Sequence, residues 1–283
     1  MYQKTIFIFL SLIVSSFAFG QSAWTQKKGE AFTQFSYNFI GDYEKLFTDQ
    51  GSDFETGRTI SESTIQAYGE YGVSDDLTLV LNLPVVSIST NEENPDSTVT
   101  PVTITEDTVT NLGNVVIGGR YKFYDKAFTL SGQLDIEANT SSGDEASGLR
   151  TGLDAWSFIP TINLGFGFNK MYFQLSTGVA IRTNDYSNSF KLKAEYGYKV
   201  LQKLWVIGFV DALQSFKNGD ASVSIESAQT GLFVNDQEYV ATGIKALYEF
   251  NDESGVTFAY AGAASGTAVP KSAAISLGYF IKF

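Results

Sequence analysis

Residues 77 to 86 alternate with period two. Leu77, Leu79, Leu81, Leu83 and Val85 make one wholly aliphatic face, while Thr78, Val80, Asn82, Pro84 and Val86 make a mixed one. Successive side chains of a strand point to opposite faces, so this segment reads as a strand between two different solvents. The same pattern sets Phe128, Leu130, Leu134, Ile136 and Ala138 against Thr129, Ser131, Gln133, Asp135 and Glu137. It returns in Phe190, Leu192, Ala194, Tyr196 and Tyr198 against Lys191, Lys193, Glu195 and Lys199. The charged members sit mid-strand.

Extended along the chain, the pattern predicts twelve strands near 30–42, 62–73, 77–89, 112–124, 127–139, 156–168, 171–183, 188–200, 204–215, 237–250, 255–265 and 271–283. At about 3.3 Å per residue and a tilt near 40°, a dozen residues rise roughly 30 Å, the thickness of a bilayer's hydrocarbon. Five connections are very short: 74–76, 125–126, 169–170, 201–203 and 251–254. They alternate with longer ones near 43–61, 90–111, 140–155, 184–187, 216–236 and 266–270. A soluble sandwich has no reason to sort its loops by parity. A transmembrane antiparallel up-and-down β-barrel does, with periplasmic turns, extracellular loops and, for an even strand count, both termini in the periplasm. The expected fold is therefore all-β, one such barrel of about 12 strands over residues 30–283.

The first residues carry Lys4, an apolar stretch from Thr5 to Phe19, and the small residues Ala18 and Gly20. This reads as a secretory signal over 1–20 with Gln21 as the mature start. A membrane anchor would need a longer apolar stretch, and a lipoprotein would need a Cys after the cut. Residues 21–29 are then a periplasmic N-terminal segment, either a small plug in the barrel mouth or a tether. No other apolar run approaches helix-span length, so any insertion uses strands.

Composition narrows the chemistry. Cys and His are both absent, which excludes disulfides, thiolate or imidazole metal sites, and Ser-His or Cys-His dyads. No metal site or cofactor is expected. A formal net charge of -12 argues against nucleic acid as a partner. Gly165-Phe166-Gly167 and Asn111-Leu112-Gly113-Asn114 do not sit between a strand and a helix, so neither is a phosphate cradle. Asp135 and Glu137 could do acid-base work, but neighbours on one strand face more simply pack a wet lumen. The chain is not expected to be an enzyme.

Charged residues barred from lipid must face inward, which makes Glu70, Arg120, Lys122, Asp135, Glu137, Arg182, Lys191, Lys193, Glu195 and Lys199 pore-lining candidates, with Lys245 and Glu249 beside them. They either pair and fill the barrel or line a hydrated channel that selects solutes. Loop acids outnumber the loop bases Lys45, Arg58, Arg150 and Lys217, which serves solvation or a negative potential at the mouth. Aromatics beside the short turns, among them Tyr71, Phe123, Phe166, Phe173, Tyr172, Tyr196 and Trp205, suggest a girdle at one membrane interface. The chain ends on the apolar row Ile275, Leu277, Tyr279, Ile281 and Phe283. Tyr279, Ile281 and Phe283 resemble the C-terminal signal that the barrel-assembly machinery reads, making that machinery, outer-membrane lipids and lipopolysaccharide the expected partners.

Four segments carry a more specific likeness: Ala23-Trp24-Thr25-Gln26 before Gly29, the run from Tyr71 to Ser87, the run from Asn111 to Phe123, and Thr151 to Trp156. They resemble a family of outer-membrane transporters named after the meta-cleavage pathway of phenol degradation. The resemblance implies a small barrel in the cell outer membrane that passes apolar or aromatic solutes, and it carries over no catalytic residue. Two functions stand: a channel or facilitator for small solutes, or a structural or surface-interaction barrel whose filled lumen conducts nothing.

Overall fold

The computed structural model describes residues 23–49, 52–92 and 106–283. The expected signal over 1–20 lies outside them. The strands are β1 (Ala31–Phe47), β2 (Asp53–Ser74), β3 (Leu77–Thr90), β4 (Asp107–Leu112), β5 (Val115–Asp125), β6 (Thr129–Ala138) and β7 (Ser157–Phe168). They continue with β8 (Met171–Arg182), β9 (Ser189–Leu201), β10 (Leu204–Ser215), β11 (Glu238–Glu249), β12 (Ser254–Thr267), β13 (Val269–Pro270) and β14 (Ala273–Lys282). One short helix, α1 (Ile225–Ala228), lies in a loop.

Neighbours in sequence pair antiparallel, and β1 pairs with both β2 and β14, which closes the sheet on itself. β4 and β5 are two halves of one spanning strand, because β3 pairs Ser87 with Thr110 and Leu79 with Gly119. The break falls at Gly113-Asn114, where the Asn114 amide donates to the Ala138 and Leu153 carbonyls at 3.0 and 2.9 Å. β13 is a two-residue edge against β1. The result is a closed barrel of 12 antiparallel strands. Among the described residues no helix is long and apolar enough to cross a membrane, so strands do the spanning.

Alternation then sorts the side chains. Leu79, Leu81, Leu83 and Val85 are exposed on the outer surface, as are Leu134, Ile136, Phe190, Tyr196 and Tyr198. Their neighbours Thr78, Val80, Gln133, Asp135 and Glu195 are buried inside. Outward aliphatic and aromatic side chains form the belt that lipid requires of a membrane barrel.

Two differences from the sequence reading concern the long-loop end. The expected loop 43–61 is mostly strand, since β1 runs to Phe47 and β2 starts at Asp53. Beyond the membrane both faces of a strand meet water or loop, so Asp42, Glu44, Lys45 and Glu55 break the apolar alternation without breaking the ladder. Tyr43 and Leu46 of this extension turn inward and pack with Ile60, Val86, Ile88, Leu149 and Leu232. Leu149 and Leu232 come from loops, which therefore fold into the mouth.

Candidate functional site

The register puts each of the predicted inward charges on the inner face of the barrel. They fall into layers. Near the short turns, Arg120 on β5 and Glu70 on β2 form an ion pair at 2.8 Å with both side chains fully buried. Arg120 also donates through Nε to Gln133 Oε1 at 2.8 Å and through Nη1 to the Trp24 carbonyl at 2.7 Å. Glu70 accepts from Gln26 at 2.6 Å and from the Tyr68 hydroxyl at 2.5 Å. A buried ion pair is tolerable when its remaining donors and acceptors are satisfied, and here the N-terminal segment supplies two of the partners.

That segment lies across the short-turn mouth. Trp24 meets Tyr172 edge-on at 6.1 Å, and Tyr172 meets Trp205 at 5.8 Å. Phe32, Tyr68, Val80, Ile207, Leu247 and Phe280 complete an apolar layer inside the barrel. Gly165 on β7 makes room for it: a Cβ there would stand 2.7 Å from Ala23 Cβ and 2.8 Å from the Trp24 ring. Tyr172 and Trp205 thus leave the expected interfacial girdle. They are buried in the lumen, whereas Tyr71, Phe123, Phe166, Phe173 and Tyr196 do face outward.

Toward mid-barrel, Glu195 receives Lys245 at 3.3 Å, Lys193 at 3.4 Å and the Tyr172 hydroxyl at 3.2 Å. Above this group lies a cavity of about 290 Å³, lined by Gln34, Gln66, Tyr68, Val80, Asn82, Asp135, Glu137, Ile159, Lys191, Lys193 and Asp211 among others. Acids on β6 and bases on β9 look across it. Asp135 is held by the Gln133 amide at 2.8 Å, and Lys191 acts on it electrostatically from beyond ion-pair distance.

The remaining predicted charges sit toward the rims. Lys122 reaches Asp125 at 3.1 Å and Asp76 at 3.5 Å beside the short turns. Lys199 pairs with Glu249 at 2.8 Å and lies over the Trp205 ring. Arg182, at the opposite end, donates to the Ser187 carbonyl at 2.7 Å and Ser189 Oγ at 2.6 Å.

The chain matches the family model described as "Putative MetA-pathway of phenol degradation" over residues 45–279. The chain belongs to this family. Among solved structures it is similar to the COG4313 outer membrane channel from Pseudomonas putida F1, with 13% identity, 92% of this chain and 98% of that one covered, and a TM-score of 0.71. The KdgM porin follows at 7% identity, coverages of 88% and 99% and a TM-score of 0.49. The β domain of the Bordetella autotransporter BrkA follows at 12% identity, coverages of 89% and 100% and a TM-score of 0.49. The last two lie too far away to add weight. No curated protein matches the chain. Family and architecture together make it an outer-membrane β-barrel with a channel-type fold.

In this family member the site is largely the interior, and sequence reasoning missed its uncharged part. Trp24, Gln26, Tyr68 and Gln133 hold the Arg120–Glu70 pair in place, yet nothing in their spacing marks them. For Tyr68 and Gln133 inward strand parity was the available signal, while Trp24 and Gln26 lie before β1 in the segment expected as a plug or tether. Arg58 was counted as a loop charge but is buried, donating to the Ser147 and Glu226 carbonyls at 2.6 and 2.7 Å. At the chain end, Tyr279 and Phe283 are exposed on the outer surface, with Ile281 between them in the same row.

Proposed function

We propose that the protein is an outer-membrane channel or facilitator for small solutes, including apolar or aromatic ones, and that it carries out no catalysis. The observation that carries this reading is the cavity of about 290 Å³ at mid-barrel, bounded by charged and amide side chains and resting on an aromatic layer. It lies near the lower end of the size range of small-molecule sites and pairs apolar surface with a few placed polar groups. In this reading Glu70, Arg120, Lys122, Asp135, Glu137, Arg182, Lys191, Lys193, Glu195 and Lys199 border the solute path. The short turns and both termini face the periplasm, residues 1–20 are removed on export, and the assembly machinery reads Tyr279, Ile281 and Phe283. Lipopolysaccharide surrounds the opposite rim.

A second reading, a filled structural barrel, draws on the closure at both ends: Trp24 with its aromatic partners at one, Leu149 and Leu232 at the other. Planar-bilayer recording of the refolded barrel in a salt gradient, with liposome uptake of phenol, decides between them. The channel reading expects current and uptake above empty liposomes. Silence in both promotes the structural reading, while current without phenol uptake keeps the pore and removes the aromatic solute.

A further inference from the structure

The inner wall of β6, β7 and β8 differs from the rest of the lumen. Ser131, Asn163 and Ser176 are direct neighbours across the three strands, and Ser176 pairs in turn with Lys193 at the cavity. Thr161 lies one inward step along β7 from Asn163. All four are at most 4% exposed. None of Ser131 Oγ, Thr161 Oγ1, Ser176 Oγ, Asn163 Nδ2 or Asn163 Oδ1 has a hydrogen-bond partner in the protein. Buried polar side chains are normally satisfied, and orphans grouped in one register row call for a hydrogen-bonding visitor. The opposite wall carries the apolar side chains Phe32, Tyr68, Val80 and Phe280, and its unpartnered hydroxyls, Thr257 on β12 and Ser276 on β14, are not joined in one cross-strand row.

We infer that Ser131, Thr161, Asn163 and Ser176 form a hydrogen-bonding seat for a small neutral hydroxylated solute passing with water between the mid-barrel cavity and the short-turn mouth. The class follows from the donor set. Three hydroxyls and one carboxamide each both donate and accept, which matches hydroxyl groups, and the row has no charge to hold an ion. Its charged cross-strand neighbours are already engaged, Lys193 with Glu195 at one end and Lys122 with Asp125 and Asp76 at the other. Beyond the row, Gly165 and the Trp24 ring packed on it form the floor, so a solute leaving the seat meets the N-terminal segment. The inference deepens the channel reading and rests on it.

The chain's lack of cysteine makes the test direct. Asn163→Cys and Ser176→Cys, refolded as the full mature chain, are treated with methyl methanethiosulfonate in detergent and compared with Ile207→Cys in the apolar layer. The seat variants should react at least about tenfold faster, and glycerol should slow them while equal osmolarity of salt should not. Equal, slow reaction at all three positions overturns the seat. In vesicles Asn163→Ala should lower glycerol entry several-fold while ionic current holds or rises. If both rise together the wall is only steric, which also overturns the proposal. Reactive cysteines with no current would keep the hydrated seat and remove the channel.

Discussion

At the scale of single residues, the strongest commitments in the lumen are ionic. Arg120 is fully buried and its guanidinium contacts Glu70, Gln133 and the Trp24 carbonyl. Replacing it by Met strands the Glu70 carboxylate, which should cost about 3–5 kcal/mol, read from the urea midpoint of the refolded barrel. The double change Glu70→Gln with Arg120→Met should cost less than the single one. Parity supplies a second comparison. Leu81 faces lipid and Asn82 faces the lumen, where it accepts from Gln66 at 2.6 Å. Leu81→Arg should cost roughly 2–4 kcal/mol near mid-membrane and Asn82→Arg less. A reversed order in unfolding from lipid vesicles would invert the face assignment of β3.

Elements show where the sequence spoke and where it was silent. Alternation located most of the spanning part of each strand, because lipid on one side and water on the other impose opposite demands at successive positions, but it left most of β4 within the expected loop 90–111. It failed for the outer parts of β1 and β2, where that difference vanishes. It also could not separate an interfacial ring from an inward one, so Tyr172 and Trp205 were misassigned while Phe173 and Tyr196 were not. The inner charges were legible by exclusion from lipid, but their partners were set by register, which parity alone does not give. The N-terminal segment is one such partner, and it depends on glycine. A Cβ at Gly72 would stand 1.9 Å from the Lys27 carbonyl oxygen. Gly72→Val should therefore displace residues 26–28 and expose the bonds after Lys27 and Lys28 to trypsin in detergent, with the barrel's heat-modifiable gel mobility unchanged. In the loop 139–156, the backbone N–H and hydroxyl of Ser147 donate to Asp144 at 2.7 and 2.8 Å and hold its carboxyl below the usual aspartate range. Because the folded pKa is depressed, this stabilisation is complete at neutral pH and is lost as pH falls through the folded value. Amide exchange at Ser147, corrected for the intrinsic rate, should accelerate over that acidic window and should be fast at all pH values in Asp144→Ala.

For the whole molecule, the outward apolar row of β14 is both membrane surface and chain terminus. Deleting Phe283, or replacing it by Asp, should reduce insertion into the outer membrane while leaving export intact. Equal yields of heat-modifiable barrel in membrane fractions would argue against a role for the terminal row in assembly. Phe283 also does something more immediate: its N–H donates to the Ala31 carbonyl at 3.0 Å, and the Ala31 N–H donates back to Phe283 at 2.7 Å. Phe283 thus extends the seam of β1 against β14, which runs from Phe32–Lys282 to Ile40–Ala274. Until that seam forms, β1 and β14 each leave one edge bare, a template for any other strand it meets. Every earlier hairpin can form from local sequence, but this seam joins residues separated by nearly the whole chain, the slowest kind of contact to make. A chain without β14 would be a ribbon with its earlier hairpins and no way to become a ring, since the seam is the whole β1–β14 ladder.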